Sequence, residues 1–118
     1  MKHFAFALNL KDDLQIIEEY KAYHRDVWPE VEQALKAIGI TGMKIFLLGR
    51  RLFMYLEAGD DFELGRDFQR YQSSDRAREW DALMRRYQEP VSQAKADDWW
   101  LGMEEVFDLD WTHASDDG

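Results

Sequence analysis

The segment MKIFLLGRRLFMYLEA, residues Met43–Ala58, decides the fold. Its two runs, Met43–Leu48 and Leu52–Ala58, are apolar and have the length and composition typical of β-strands. Gly49-Arg50-Arg51 between them is typical of a tight turn. The segment therefore predicts a β-hairpin near the middle of the chain.

The sequence before the hairpin predicts a strand followed by two helices. His3–Leu10 is short, aromatic and followed by charged residues, as is typical of a buried strand. Asp12-Asp13 offers an N-cap to a first helix, in which apolar residues recur at helical spacing up to Arg25. Pro29 suits the first turn of a second helix, and Gly39 supplies its end.

The sequence after the hairpin predicts two further helices and a closing strand. Asp60-Asp61 can cap a third helix that carries Phe62, and Ser73-Ser74 can cap a fourth that ends before Pro90. The closing strand is predicted from apolar residues that follow Trp99 and Trp100, namely Met103, Val106, Phe107 and Leu109.

This order of elements predicts an α+β fold of the ferredoxin-like, split βαβ type, with a four-stranded antiparallel sheet and helices on one face. Phe6, Ile45, Met54 and Phe107 are predicted not to fit all under the helices, because neighbouring strand positions point to opposite sides. Two sheets packed face to face would cover the other side, which predicts a homodimer with a barrel-like interior. We expect one domain, residues 1–111, and a loose acidic tail, residues 112–118.

Composition excludes several partners and sites. The formal charge of −9, from 15 Lys and Arg against 24 Asp and Glu, opposes binding to nucleic acid or anionic membranes. The absence of Cys excludes disulfides, thiolate nucleophiles and cysteine-ligated metals. No apolar run reaches the roughly 20 residues of a membrane helix, and the N-terminal stretch lacks the features of a secretory signal. A cytoplasmic location is therefore expected.

Tyr20 and His24 form the most informative pair of polar residues. They are four residues apart in the first predicted helix and therefore share a face. A neutral imidazole can take and give a proton near pH 7, and a phenol beside it can position a hydroxylated substrate. The spacing equally fits a helix-end histidine bonded to a backbone carbonyl, with Tyr20 only packing. His3 and His113 are expected to be ordinary.

Other residues are compatible with a sugar pocket but predict no metal site. Four tryptophans could stack on the apolar face of a sugar, although aromatics at helical spacing more often form core: Trp28, Trp80, Trp99 and Trp100. The acidic pairs lie at predicted element boundaries, where capping and solvation explain them: Asp12-Asp13, Asp60-Asp61 and Asp97-Asp98. No phosphate-binding loop, His-Glu-x-x-His helix or nucleophile elbow occurs.

The strings Glu19-Tyr20-Lys21-Ala22-Tyr23-His24 and Val27-Trp28-Pro29-Glu30 resemble the signature of the L-rhamnose mutarotase family. The resemblance continues through Arg51–Met54, the helix of Trp80 and Met103–Phe107, so that it reaches Leu109. It implies a dimeric ferredoxin-like fold and a cofactor-free interconversion of the α and β anomers of a 6-deoxyhexose. It also implies that His24 is the proton donor and that Tyr20 contacts the substrate.

Two departures from the rhamnose pattern bear on the choice of sugar. The chain has Met43 where the rhamnose enzymes carry a second substrate-contacting tyrosine, and Trp80-Asp81 where they carry a tryptophan pair. A sister group of L-fucose mutarotases is more similar to this chain. It shares the methionine at position 43, a tryptophan followed by an acidic residue, and the N-terminal segments Phe4–Leu8 and Leu10–Asp13. The resemblance thus places Tyr20, Met43, Trp80 and Asp81 in the substrate site.

The sequence therefore predicts an aldose mutarotase for L-fucose, with L-rhamnose as the alternative sugar and no cofactor or metal. Two other classes remain open: a non-catalytic dimer that senses a sugar or another metabolite, and a cofactor-less oxygenase on the same scaffold. The sequence does not identify the second proton-transfer group. It also leaves open whether Trp99 and Trp100 line the pocket or the subunit contact.

Overall fold

The computed structural model describes residues 1–111, which form one antiparallel sheet with helices packed on it. The elements follow in the order β1 (Lys2–Leu10), α1 (Leu14–His24), α2 (Pro29–Ala37), β2 (Ile40–Leu48), β3 (Arg51–Ala58), α3 (Leu64–Tyr71), α4 (Asp75–Arg85), β4 (Gln88–Glu89) and β5 (Leu101–Gly102). The strand order is β2-β3-β1-β4, and β5 also pairs with β1. The predicted α+β, ferredoxin-like fold is confirmed, while the predicted tail, residues 112–118, lies outside the described residues.

The hairpin forms where the sequence predicts it. β2 and β3 pair in antiparallel register with Phe46 opposite Phe53 and Leu48 opposite Arg51. The loop between them is the pair Gly49 and Arg50, and Gly49 has a φ of 62°. A two-residue hairpin loop needs such left-handed backbone, which glycine adopts without steric cost.

Four helix boundaries follow their predicted signals. Asp13 caps α1, because its carboxylate accepts hydrogen bonds from the backbone N–H groups of Gln15 and Ile16. Pro29 begins α2, and Gly39 beyond its end has a φ of 102°. Ser74 caps α4 by accepting from the N–H of Ala77. These local signals therefore mark the starts of α1, α2 and α4 and the end of α2.

The predicted start of the third helix is wrong. Asp60 and Asp61 form a turn, Phe62 lies outside the helix, and α3 begins only at Leu64. The carboxylate of Asp67 accepts a hydrogen bond from the N–H of Glu63 at 2.8 Å, so a residue inside the helix satisfies its N-terminus. Asp67 is buried and paired with Arg66 and Arg70, which holds its pKa well below the usual range.

The predicted closing strand is also displaced. β5 is confined to Leu101–Gly102, and Met103 adds one further hydrogen bond from its N–H to the carbonyl of Ala5. The chain then leaves the sheet, with exposed apolar side chains at Val106, Phe107 and Leu109. β4, at Gln88–Glu89, pairs with the end of β1 instead. A strand needs a partner edge as well as apolar residues, and beyond Met103 the described chain makes no further pairing with β1.

The face of the sheet that carries the helices, here called the helix-side face, holds the core. Phe6 pairs with Met54, and Met54 pairs with Ile45, so the three form one row across it. The reason given for the prediction, that neighbouring strand positions point to opposite sides, therefore does not separate these three residues, which share one face. The fourth residue of that prediction, Phe107, is 65% exposed and belongs to no strand.

A β-bulge explains why the row forms. The register between β2 and β3 shifts by one residue between Ile40 and Gly42. Ile40 is buried in the core before the bulge, and the extra residue Thr41 changes the alternation, so that Met43 and Ile45 also point to the helices. The bulge thus carries Met43 onto the helix-side face.

The opposite face of the sheet, here called the outer face, is left uncovered by the helices. Phe46 is 54% exposed and stacks on its cross-strand neighbour Phe53, with ring centroids 5.9 Å apart. His3, Tyr55 and Glu57 lie beside them and are joined by hydrogen bonds through the Tyr55 hydroxyl. Among residues 1–111, no helix is long and apolar enough to cross a membrane.

Candidate active site

A cavity of about 700 Å³ lies between the helix-side face and the helices. This volume falls within the range usual for small-molecule sites. The side chains that the sequence predicts for the site all line it: Tyr20, His24, Met43, Trp80 and Asp81. The fold therefore brings together residues from α1, β2 and α4.

His24 is the last residue of α1, and its imidazole has a defined proton arrangement. Nδ1 lies 2.9 Å from the backbone carbonyl oxygen of Tyr20. A carbonyl only accepts hydrogen bonds, so Nδ1–H must be the donor. In the neutral ring, the remaining nitrogen Nε2 is then unprotonated. No other side chain or backbone group of residues 1–111 bonds Nε2, although the ring lines the cavity.

The surroundings of His24 favour the neutral ring. Burial lowers the pKa of His24 below its usual value of 6.5, and the hydrogen bond to the Tyr20 carbonyl opposes that shift only in part. The imidazole packs against the Tyr20 ring at 4.3 Å and against the Trp80 ring, edge to face, at 5.5 Å. His24 thus makes the backbone hydrogen bond of a helix-end histidine and also lines the cavity.

Tyr20 is buried, with 3% of its surface exposed, and its phenol is held from one side. Its hydroxyl oxygen accepts a hydrogen bond from Nε2 of Gln88 at 3.1 Å. Burial raises the pKa of Tyr20 to about 12, so the phenol keeps its proton at neutral pH. The chain thus presents a protonated hydroxyl next to an unprotonated imidazole nitrogen.

Asp81 supplies a half-buried carboxylate at another part of the cavity wall. It accepts hydrogen bonds from the Tyr71 hydroxyl at 3.2 Å and from Nε2 of Gln72 at 2.9 Å. Burial raises the pKa of Asp81, while these hydrogen bonds and the charge of Arg85 act in the opposite direction. A carboxylate with oxygen lone pairs to spare can accept a hydroxyl of a bound ligand.

Met43 faces the same cavity from β2, opposite Leu56 on the neighbouring strand. It is half-buried, and its thioether adds an apolar surface with at most a weak acceptor. A ligand group next to it must therefore be apolar or find its hydrogen-bond partner elsewhere.

The four candidate tryptophans divide into two groups. Trp80, Trp99 and Trp100 line the cavity. Trp28 does not line it; its ring packs against Trp80 at 5.2 Å, and the Arg76 guanidinium lies 3.9 Å from its centroid. The idea that Trp28 stacks directly on a ligand is wrong, because α2 places its ring behind Trp80.

Sequence reasoning missed three polar residues of the cavity wall, Tyr71, Gln72 and Gln88. Tyr71 is the last residue of α3, and Gln88 follows the last turn of α4, where no periodic pattern marks it. Their importance comes from partners distant in sequence, which no local spacing reveals. Gln72 and Gln88 lie among other polar residues, so the sequence around them gives no signal.

The other predicted features play structural parts. His3 bonds Tyr55 on the outer face, away from the cavity, and His113 lies outside the described residues. Within residues 1–111, no cluster of three or more His, Asp or Glu side chains could hold a metal ion.

Comparisons with known proteins show which sequences this chain is similar to. A protein of Dictyostelium discoideum named only as a UPF0734 protein is 51% identical over 93% of this chain and 91% of its own length. An L-fucose mutarotase of Xanthomonas campestris is 32% identical over 92% of this chain and 89% of its own length. These matches run through almost the whole described domain.

Among solved structures, an L-rhamnose mutarotase from Formosa agariphila superposes with a TM-score of 0.68. It is 22% identical, and the match covers 92% of this chain and 99% of that one, so it supports the fold. The sequence model of the L-rhamnose mutarotase family matches residues 3–109. The chain therefore belongs to the L-rhamnose mutarotase family of carbohydrate isomerases.

Proposed function

We propose that this protein interconverts the α and β anomers of L-fucose, and that His24 moves the proton. One observation carries the proposal: His24 lines the cavity with Nδ1–H bonded to a carbonyl, which leaves Nε2 unprotonated in the neutral ring. The lowered pKa of His24 keeps that form populated at neutral pH. A group that can take and return a proton without a cofactor is what anomer exchange requires.

The proton steps balance on a single imidazole. Nε2 of His24 takes the proton of the anomeric hydroxyl while the bond between C1 and the ring oxygen breaks and C1 becomes an aldehyde. The imidazolium then gives its proton to the former ring oxygen, which is bonded to the same carbon in the closed sugar. After rotation about C1–C2, the reverse sequence closes the ring on the other face. His24 is in this way base first and proton donor second.

Four other residues are proposed to hold the sugar. Tyr20 and Asp81 supply hydrogen bonds to hydroxyl groups, Trp80 covers one side of the cavity next to His24, and Met43 supplies an apolar contact. L-Fucose and L-rhamnose share the 6-methyl group and differ in hydroxyl configuration at C2 and C4. A carboxylate acceptor in place of an indole, and a thioether in place of a phenol, favour a different hydroxyl pattern from that of L-rhamnose.

The protein is further proposed to act as a homodimer in the cytoplasm. The exposed Phe46 and its neighbour Phe53 give the outer face an apolar surface that a second copy can cover. The absence of Cys from the sequence is compatible with a reducing compartment.

Saturation-transfer NMR tests the proposed activity directly. One anomeric proton of L-fucose is saturated, and the loss of signal at the other is followed with and without protein. We expect faster exchange for L-fucose than for L-rhamnose at equal concentrations. Exchange faster for L-rhamnose would reassign the sugar, and no acceleration of either would reject the activity. Sugar binding without acceleration would instead favour the sensor hypothesis.

A further inference from the structure

A chain of three hydrogen-bonded side chains runs from Trp99 through Gln88 of β4 to Tyr20 of the helix α1. The indole N–H of Trp99 donates to Oε1 of Gln88 at 2.8 Å, and Nε2 of Gln88 donates to the Tyr20 hydroxyl oxygen at 3.1 Å. Gln88 and Tyr20 are 5% and 3% exposed. All three side chains also line the cavity.

The chemistry of these groups fixes the direction of each bond. An indole N–H is only a donor, so the Gln88 atom facing Trp99 must be the carbonyl oxygen. The amide NH₂ group must then face Tyr20, where it can only donate. The phenol oxygen consequently accepts, and its own O–H has to find an acceptor in another direction.

Residues 1–111 supply no acceptor for that proton, and the Tyr20 side chain lines the cavity. We propose that Trp99 and Gln88 act as positioning residues that aim the Tyr20 hydroxyl proton at the bound sugar. Tyr20 and His24 then present complementary groups to adjacent sugar oxygens: O–H from the phenol and the bare Nε2 of the imidazole. The rings of the two residues pack against each other, with centroids 4.3 Å apart, so both groups lie at the same part of the cavity.

This inference rests on the proposed mutarotase function. It gives the Tyr20 hydroxyl a part in the reaction as well as in sugar binding. Negative charge develops on the ring oxygen while its bond to C1 breaks and before the imidazolium returns the proton. A donor aimed beforehand at that oxygen stabilises the charge without having to reorient. A phenol free to rotate, or held as a donor to the protein, would lack this advantage.

Gln88→Glu tests the direction of the bonds with almost no change of shape. One carboxylate oxygen still accepts from Trp99, but the other now accepts the Tyr20 O–H and removes it from the sugar. We expect the rate of L-fucose anomer exchange at saturating sugar to fall roughly 10- to 100-fold, with a smaller change in KM. Gln93→Glu, at an exposed position, adds the same charge and should leave the rate unchanged.

A double-variant cycle shows whether Gln88 acts through Tyr20. Tyr20→Phe alone should lower the rate by a factor similar to that of Gln88→Glu, and the combined variant should lose no more than Tyr20→Phe alone. Losses that multiply in the combined variant would overturn the inference, because Gln88 would then act by another route. Unchanged activity of Gln88→Glu would overturn it as well.

Trp99→Phe provides an independent variant if melting curves show that Gln88→Glu does not fold. Trp99 is half-buried, and losing its N–H frees the Gln88 amide to turn over, so a smaller loss is expected, absent in a Tyr20→Phe background. A loss that persists in that background contradicts the proposal. If the wild-type chain accelerates no sugar, the proposed function itself fails; if it is active and only these cycles are additive, the positioning role alone fails.

Discussion

On the helix-side face of the sheet, polar side chains are enclosed and paired, whereas on the outer face aromatic and aliphatic side chains lie open. Gln88 and Tyr20 are almost wholly buried, and each has a hydrogen-bond partner. Phe46 and Leu48, on the other side of the same sheet, are 54% and 83% exposed. One strand, β2, contributes Met43 to the first surface and Phe46 to the second.

The difference shows that the two faces of one sheet suit different roles. The helix-side face holds the candidate active site, and the outer face offers a surface for association. Burying an unpaired polar group costs about 1–3 kcal/mol, so polar groups are retained in the enclosed cavity only where partners hold them in place. Such held groups are already oriented for a ligand. An open apolar face carries no such orientation and is stabilised by being covered.

The largest effect is expected from His24→Asn. The Asn amide can still donate to the Tyr20 carbonyl, but it offers no basic nitrogen in place of Nε2. The rate of L-fucose anomer exchange should fall about 10²- to 10⁴-fold, as is typical for loss of an acid–base group. The melting temperature should change little, since His24 is only half-buried.

His3→Asn is the matched control for that variant. His3 lies on the outer face and bonds Tyr55, so the same substitution should leave the exchange rate within about twofold, as surface changes usually do. Saturation transfer on both variants checks the prediction. An active His24→Asn variant would remove His24 from the mechanism and leave the cavity without its proposed base.

The second effect concerns the outer face and follows from Phe46→Glu. A two-fold dimer through this face would contain the substitution twice and would bring two carboxylates near its apolar centre. Burying a Phe side chain contributes roughly 1.5–3 kcal/mol, so the dissociation constant should rise at least about 100-fold. Sedimentation velocity against protein concentration measures it.

Leu14→Glu serves as the control for association. Leu14 is also highly exposed, at 82%, but it begins α1 and lies away from the outer face. Its variant should keep the wild-type sedimentation profile. Equal dissociation of both variants, or a wild-type chain that remains monomeric at tens of micromolar concentration, would contradict a dimer formed through this face.

A smaller effect is expected from exchanging the two cavity residues that depart from the rhamnose pattern. Met43→Tyr adds a phenol, and Asp81→Trp replaces a carboxylate by an indole. Together they should shift the ratio of exchange rates for L-rhamnose over L-fucose about tenfold upward, because a hydrogen bond gained or left unpaired is worth about 1 kcal/mol or more. An equal loss of exchange rate for both sugars would show that Met43 and Asp81 do not determine which sugar is preferred.

The smallest effect concerns pH. Burial lowers the pKa of His24 below 6.5, so Nε2 is unprotonated at and above neutrality. The exchange rate should be nearly constant there and should fall as pH drops through that lowered pKa, when Nε2 takes up a proton and can no longer act as a base.

Asp81 titrates in the same cavity with a raised pKa, and Asp81→Asn separates the two groups. The acid limb of the rate profile should persist in that variant, because His24 remains. An acid limb that disappears with Asp81→Asn would assign it to the carboxyl group. The rate, corrected for spontaneous exchange in the same buffer, is the measurement.

The hairpin, the cap of α1, the start of α2 and the cap of α4 could be predicted from the sequence, because each depends on residues close together in the chain. Gly49 at the turn, Asp13 before α1 and Ser74 before α4 are local signals. The pair Tyr20 and His24 belongs to the same class, since helical periodicity alone puts them on one face.

Only the tertiary structure decided the rest, because it depends on contacts between distant residues. The bulge at Thr41 determines that Met43 reaches the cavity, and pairing with β1 limits the last strand to Leu101–Gly102. Gln88 gains its orientation from Trp99 and passes it to Tyr20, which lies 68 positions away in the chain. Local spacing is determined by backbone geometry, whereas the direction of a buried proton is determined by whichever donor or acceptor the fold brings next to it.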